Sequence, residues 1–158
     1  MKILIIGAGR IGTSVAESLV SEDNDITVID KNPESISLLQ ARFDLRGIVG
    51  NALSPALLTE ASANDTDLLI AVTSSDETNL ATLLADKLFN IPTRIARVRN
   101  EELRSYPRIL KEEGFSATTI IWPEQALTRY LVKLINIPEA LQVQEFAEGR
   151  VSLVVVRA

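Results

Sequence analysis

Three closely spaced glycines near the amino end are the residues whose spacing most clearly suits a chemical task. Gly7, Gly9 and Gly12 lie in GAGRIG, which follows the apolar run ILII and precedes apolar residues at helical spacing. The first two glycines of such a turn let the backbone bend and approach a pyrophosphate, and the third lets the helix pack on the strand. The N–H groups at a helix start also attract phosphate. The hexapeptide predicts a nucleotide-binding turn, with a purely structural turn as the alternative.

An acidic residue follows at the distance that such a turn requires. Asp30 ends the next apolar run, ITVID, eighteen positions after Gly12. A carboxylate there accepts hydrogen bonds from a ribose 2′-hydroxyl and repels a 2′-phosphate, so NAD or another adenine nucleotide with a free ribose is favoured over NADP. Asp30 could instead cap a helix. Lys31 could pair with a phosphate, although a lysine that starts a loop is more commonly a solvated charge.

Polar residues also follow the third and fourth predicted strands. Asn51 and Ala52 come after the third strand, and Thr73 and Ser74 come after the fourth. In an open parallel sheet both carboxyl ends face the ligand crevice, so these residues are candidate neighbours of an adenine and a ribose. The alternative is that Ser75 and Asp76 only cap the next helix.

Two arginines form a further candidate pair. Arg97 and Arg99 lie two positions apart in RIARVR, which we expect to be a strand through Arg99. Side chains two apart on a strand emerge on one face, and the guanidinium fork matches phosphate oxygens. The pair therefore predicts a phosphate contact in the crevice, with a solubilising charge on an edge strand as the alternative.

The residues that an oxidoreductase usually needs are missing. The sequence holds no histidine and no cysteine, and Tyr130 and Lys133 lie three apart within an apolar helical stripe. We therefore expect no catalytic residue and no metal site, and binding without turnover. A net charge of -5 also disfavours a nucleic acid as partner.

The elements that position these residues alternate between strands and helices. Six apolar strands separated by helical segments predict an α/β, Rossmann-like, doubly wound parallel sheet in the order 3-2-1-4-5-6, with ligand beside strand one. Asp76 is expected to cap a long helix whose buried stripe comprises Leu80, Leu83, Leu84 and Leu88. A charged helix over residues 101–113 and a sixth strand over 117–122 are expected to follow.

The last part of the chain has a different pattern. We expect a nucleotide-binding domain over 1–122, a helix over 123–137 and a strand pair over 138–158, joined at Glu148-Gly149. The helix carries an apolar stripe that either covers its own sheet or forms an interface: Leu127, Tyr130, Leu131, Leu134 and Ile135. The final apolar run has nothing left to cover it, so we expect either an assembly partner or a longer natural chain. No run approaches the roughly twenty apolar residues that span a bilayer, so membrane association is expected only through a partner.

With these motifs in place, the chain resembles the nucleotide-binding modules of the KTN or RCK class in the regulatory subunits of bacterial Trk-type potassium uptake systems. The resemblance covers nearly the whole sequence through GAGRIG, NDITVID, AVTSSDETN, IARVR and ALQVQEFAEGRVSLV. It implies a cytoplasmic protein, peripheral to the inner membrane, that assembles as a dimer or gating ring beneath a potassium channel or transporter. Such proteins control ion flow by binding NAD(H), ATP or ADP, and a complete one is much longer.

The resemblance also implies residue roles. The phosphates would lie against Gly7, Ala8, Gly9, Arg10 and Ile11. Asp30 would hold the ribose, Thr73 and Ser74 the middle of the nucleotide, and Arg97 with Arg99 the far phosphates. Members often carry aspartate where this chain has Asn51, and the helix over 123–136 is similar to their crossover helix.

Three functions follow from these observations. The first is a nucleotide sensor without turnover, the second a small NAD-dependent oxidoreductase module, and the third a structural dimerisation domain with a vestigial site.

Overall fold

The computed structural model describes residues 1–20, 22–111, 114–136, 140–146 and 151–156. The chain forms two compact units, Met1–Ile121 and Trp122–Ala158. They are described in turn.

The first unit is built on a six-stranded sheet whose order is β3-β2-β1-β4-β5-β6, and all five strand pairs are parallel. This confirms the predicted doubly wound arrangement. The strands are β1 (Lys2–Ile6), β2 (Asp25–Asp30), β3 (Arg46–Val49), β4 (Leu68–Ala71), β5 (Thr93–Arg97) and β6 (Thr119–Ile121). The order reverses at β1, which pairs with β2 on one side and with β4 on the other. Ligands of open α/β sheets bind in the crevice at such a reversal.

Helices connect the strands, as the right-handed crossovers of a parallel sheet require. They are α1 (Arg10–Val20), α2 (Pro33–Arg42), α3 (Pro55–Glu60), α4 (Asp76–Lys87) and α5 (Pro107–Leu110). Short 3₁₀ turns cover Ala63–Asp65 and Glu101–Ser105. The start of α2 shows how the sequence sets a boundary, because the Asn32 side chain accepts the Glu34 N–H at 2.9 Å and Pro33 occupies the first turn.

The core lies around the central strands. Leu4 and Ile5 of β1, Val28 of β2 and Leu69 of β4 are completely buried. Both faces of β1 are covered, which is why ILII reads as a continuous apolar run and does not alternate. This rigid centre holds the carboxyl ends of β1, β2 and β4 in fixed positions beside one another.

The predicted buried stripe of α4 is half wrong. Leu80 and Leu83 are buried, but Leu84 is 43% exposed and Leu88, beyond the end of the helix, is 76% exposed. The polar residues Asn79 and Thr82 are fully buried in their place. Apolar spacing cannot predict that a polar side chain is buried when its hydrogen bonds are made inside the protein.

The segment between β5 and β6 also differs from the prediction. β5 ends at Arg97, so Arg99 lies beyond the strand, and β6 covers only Thr119–Ile121. The expected helix over 101–113 is a 3₁₀ turn followed by the four residues of α5, and residues 112–113 lie outside the described part. Pro107 explains the break, because the residue before a proline avoids helical backbone and Tyr106 has φ -124° and ψ 60°.

The second unit contains one helix and two strands among its described residues. The helix α6 (Pro123–Asn136) begins at the residue expected from the sequence for the apolar-stripe helix, and residue 137, the expected end of that segment, lies outside the described residues. Strands β7 (Ala140–Phe146) and β8 (Val151–Val156) pair antiparallel, whereas the predicted junction at Glu148-Gly149 lies outside the described residues. None of the described helices is long and apolar enough to cross a membrane.

Candidate functional site

A crevice opens at the carboxyl ends of β1, β2, β3 and β4, where the strand order reverses. Its volume is about 280 Å³. The lining residues come from the last positions of β1 and β2, from the loops that follow the four strands and from the start of α4: Ile6, Gly7, Gly9, Ile29, Asp30, Lys31, Gly50, Ala52, Val72, Thr73, Ser74, Ser75 and Thr78. Seven residues predicted from the sequence are therefore brought together here: Gly7, Gly9, Asp30, Lys31, Ala52, Thr73 and Ser74.

The glycine turn uses each of its glycines differently. Gly7 has φ +107°, a backbone conformation that side chains with a Cβ rarely adopt, and its N–H donates to Ile29 O at 2.8 Å. A Cβ on Gly12 would lie 1.8 Å from Gly7 O, so only glycine lets α1 begin this close to the end of β1. Two of the three glycines are thus required by the turn itself.

Gly9 is not explained by the fold. A Cβ placed on it would meet no atom within 4 Å, and its φ is outside the left-handed region. Gly9 nevertheless lines the crevice and directly precedes α1. The missing side chain therefore leaves open space beside a helix start, where a pyrophosphate can approach the backbone.

Asp30 holds the turn as well as facing the crevice. Its Oδ2 accepts the Ala8 N–H at 2.6 Å, and its Oδ1 accepts the Asn32 N–H at 2.8 Å. Asp30 therefore links the glycine turn to the start of α2, where Asn32 is the capping residue. A carboxylate has about four lone-pair sites, so these two bonds leave acceptor capacity toward the crevice.

Asn79, which the sequence analysis missed, organises the far wall of the crevice. Its Oδ1 accepts the Thr73 N–H at 2.8 Å and the Thr73 hydroxyl at 2.7 Å. Its Nδ2 donates to Arg97 O at 2.9 Å and to Thr73 O at 3.2 Å. One buried amide thus fixes the ends of β4 and β5 together. The sequence signal was weak, an amide eight positions after the end of β4.

Ser75 caps α4, and the prediction that Asp76 does so is wrong. The Ser75 Oγ accepts the Thr78 N–H at 3.0 Å and donates to Glu77 Oε2 at 2.9 Å. The backbone N–H of Glu77, followed by this hydroxyl, lowers the pKa of the Glu77 carboxyl. Asp76 instead reaches across to the next loop, where its Oδ2 accepts the N–H groups of Arg99 and Asn100, each at 2.8 Å.

The two predicted arginines lie behind the crevice wall and are not among its lining residues. Arg97 Nη1 donates to Thr73 O at 3.4 Å, while its buried Nε has no hydrogen-bond partner among the described residues. Arg99 Nη2 donates to Ser74 O, and Arg99 Nε lies 3.8 Å from Asp76 Oδ1. Both guanidinium groups thus brace the carbonyls of Thr73 and Ser74, which do line the crevice.

The remaining predicted residues border the crevice without lining it. Ala8 is buried, Gly12 packs against Gly7, and Arg10 and Ile11 are exposed on the first turn of α1. The Asn51 side chain accepts the Leu53 N–H at 3.1 Å, so it forms the turn after β3. Within the described part of the chain, no three histidine, cysteine, aspartate or glutamate residues are grouped so that they could hold a metal ion.

A glycine turn at the reversal of a doubly wound parallel sheet defines the class: this is a Rossmann-like domain. Residues 3–123 match the TrkA-N domain. The chain therefore belongs to the TrkA-N domain family.

Its relatives carry the same name. The chain is 48% identical over 160 residues to the Trk system potassium uptake protein TrkA of Haemophilus influenzae, and 47% identical over 160 residues to that of Vibrio alginolyticus. Each alignment covers 100% of this chain and 35% of the relative. The chain thus spans about a third of the length of these relatives.

Solved structures share the fold. The TrkA-N domain of the inner membrane protein ybaL from Escherichia coli superposes with a TM-score of 0.75 at 21% identity, covering 85% of this chain and 96% of that one. The GsuK channel bound to NAD gives a TM-score of 0.70 at 20% identity, covering 82% of this chain and 23% of that one.

Proposed function

We propose that this chain is the nucleotide-sensing module of a regulatory subunit in a bacterial potassium uptake system. It binds NAD(H) in the crevice, with ATP or ADP as alternative ligands, and does not turn them over. Gly9 is the observation that carries the proposal, because the fold does not require a glycine there and the open space faces the crevice. The names of the relatives, and the NAD carried by the similar GsuK channel, support the ligand and the system.

The contacts of the crevice suggest an orientation for the nucleotide. The first N–H groups of α1 have no acceptor within the helix, and α1 begins directly after the glycine turn, so we place the phosphates over residues 7–12. The ribose lies against Asp30, whose bond to the Ala8 N–H keeps the carboxylate beside the turn. We propose that Lys31 pairs with a phosphate, that Asn51 and Ala52 lie on the adenine side, and that residues 73–74 contact the middle of the ligand.

A sensing role requires that the ligand distinguish two states. A nucleotide that binds both states equally shifts neither, however tightly it binds. The bonds from Asp76, Asn79, Arg97 and Arg99 join the crevice wall to the loop after β5. We infer that Arg97 and Arg99 act on the far phosphates indirectly, by holding the carbonyl groups of Thr73 and Ser74 in the crevice wall. Ligand binding would then change the hydrogen bonds between this wall and the loop after β5.

The proposed assembly uses α6. Leu127 is 58% exposed, Leu131 48% and Ile135 73%, an apolar surface that favours association. We propose a homo-oligomer, a dimer or a larger ring, formed through this helix. The assembly is cytoplasmic and peripheral to the inner membrane, which it contacts through a potassium channel or transporter subunit.

Thermal shift measurements test the nucleotide proposal. NADH, NAD, ATP and ADP are added to the chain, and nicotinamide turnover is assayed in parallel. A ligand at a hundred times its dissociation constant stabilises the fold by about 2.7 kcal/mol. Asp30→Ala should reduce the shift, whereas Asp44→Ala, at an exposed position away from the crevice, should not. No shift with any adenine nucleotide would exclude the sensor, and steady turnover would support the oxidoreductase instead.

Light scattering after size exclusion tests the assembly. Leu127→Glu combined with Leu131→Glu should give monomers, because each charge would be buried at the interface. Leu88→Glu, a matched change at an exposed leucine near the end of α4, should leave the oligomer intact. Insoluble double variants would show that α6 covers its own core, and unchanged oligomers would place the interface elsewhere.

A further inference from the structure

A second polar pocket lies at the opposite edge of the sheet from the nucleotide crevice. It opens at the amino ends of β5 and β6 and has a volume of about 660 Å³, within the ordinary range for small-molecule sites. We call it the amino-edge pocket, and it is lined by Pro92, Arg94, Pro107, Arg108, Lys111, Ser116, Ala117 and Thr118.

The charge of this pocket is opposite to that of the chain. Three of its lining residues, Arg94, Arg108 and Lys111, are cationic, and none of the lining residues in the described part of the chain carries a carboxylate, whereas the whole chain has a net charge of -5. Cations gathered in a concave site raise the local concentration of small anions. The nucleotide crevice differs, since one aspartate and one lysine line it.

The Arg94 guanidinium is immobilised beside the amino-edge pocket by hydrogen bonds to backbone carbonyls. Its Nε donates to Ser116 O at 2.8 Å and its Nη1 donates to Ile91 O at 2.7 Å. These two bonds fix the plane of the guanidinium, and Nη2 makes no hydrogen bond with the described part of the chain. A cation that is already immobilised loses little side-chain entropy when an anion binds.

Two hydroxyl groups add neutral donors. Ser116 is only 3% exposed, and its Oγ has no hydrogen-bond partner among the described residues. A buried hydroxyl without a partner is unfavourable, and the few that occur in native proteins require an explanation. Thr118 Oγ1 accepts the backbone N–H of Arg94 at 3.0 Å, which leaves the hydroxyl proton to donate elsewhere.

We propose that the amino-edge pocket binds a small phosphate-bearing anion. The Ser116 hydroxyl donates to a phosphate oxygen, Arg94 supplies Nη2, and Lys111 neutralises charge at the mouth. Clustered cations and hydroxyl donors of this kind suit the many acceptor oxygens of a phosphate group. The proposal is independent of nucleotide binding in the crevice, because the two sites share no lining residue.

Titration with inorganic pyrophosphate, followed by amide NMR shifts, tests the proposal. Saturable shifts are expected at the Ser116, Ala117 and Thr118 amides. Shifts at the amides of residues 7–12 report binding in the nucleotide crevice, so binding at the two sites is measured separately. Lys111→Glu and Ser116→Ala should each weaken the pyrophosphate affinity measured at residues 116–118 about tenfold. Ion pairs, and hydrogen bonds to a charged group, are stronger than those between neutral groups.

Lys87→Glu is the matched control for charge, because Lys87 is also exposed but lies at the end of α4. It should leave pyrophosphate affinity at residues 116–118 unchanged. Equal weakening by Lys87→Glu and Lys111→Glu would show general charge attraction and overturn the proposal. So would the absence of saturable shifts at residues 116–118, or an unchanged affinity in both Lys111→Glu and Ser116→Ala.

Discussion

The same substitution at two glycines three residues apart should have opposite consequences. In Gly12→Ala the new Cβ would lie 1.8 Å from Gly7 O and 2.9 Å from Gly7 C, so backbone must move. Overpacking of this kind costs about 1–3 kcal/mol, and alanine in a helix returns about 0.5–1 kcal/mol. We expect a net loss of about 1 kcal/mol, which lowers Tm by roughly 2–4 °C in a protein of this size.

Gly9→Ala should leave the fold intact. No atom lies within 4 Å of the new Cβ, and alanine restricts the unfolded chain, so stability should stay equal or rise by about 0.4–1 kcal/mol. The methyl group would occupy the space proposed for the pyrophosphate. Loss of one charge-assisted hydrogen bond corresponds to about tenfold weaker nucleotide binding or more.

Urea denaturation followed by circular dichroism measures the stability change in Gly12→Ala. Tryptophan fluorescence is unsuitable, because the single tryptophan, Trp122, belongs to the other unit. Nucleotide titration measures the affinity change in Gly9→Ala. If Gly12→Ala is as stable as the parent chain, the close approach of α1 to β1 is not as tight as described. If Gly9→Ala binds normally, the open space at Gly9 is not where the phosphates lie.

Two further substitutions test the walls of the crevice. Asp30→Ala should weaken nucleotide binding and also destabilise the unit by about 1–3 kcal/mol, because the N–H groups of Ala8 and Asn32 lose their acceptor; a loss of affinity with unchanged stability in urea would contradict the bracing role. Asn79→Ala should cost about 2–4 kcal/mol, because the Thr73 N–H is left without its acceptor in a buried network. Urea denaturation of Asn79→Ala that matches the parent chain would show that the network does not hold the strand ends.

Local patterns were sufficient for most of the architecture. The continuous apolar runs of β1 and β4, separated by helices, predicted the parallel sheet and its order, since a strand buried on both faces has no alternation. The glycine turn and the start of α6 were equally visible, because proline and glycine act on the backbone within a few residues. Asp30 could be placed beside the turn because the fingerprint specifies its distance along the chain.

Local patterns failed where a side chain finds its partner far away in the sequence. The Asn79 side chain can be buried because it forms hydrogen bonds with the backbone of Thr73 and Arg97, and sequence periodicity does not predict such contacts. Leu84 was expected in the core because of its apolar spacing, but it is exposed. Spacing alone cannot show which side of a helix is covered by the rest of the protein. Strand alternation predicted that the side chains of Arg97 and Arg99 emerge on the same face, but β5 ends at Arg97 and Arg99 lies beyond it.

The sequence by itself determined the class of fold, the turn that starts α1 and the acid that belongs to it, because these depend on residue types within one βαβ unit. Tertiary structure alone decided that the fold leaves open space beside Gly9, whereas a Cβ on Gly12 would lie 1.8 Å from Gly7 O. It also brought Arg94, Lys111 and Ser116 around one pocket. The physical reason is the same in each case: distances and burial between residues far apart in the chain arise only when the sheet and its helices pack together.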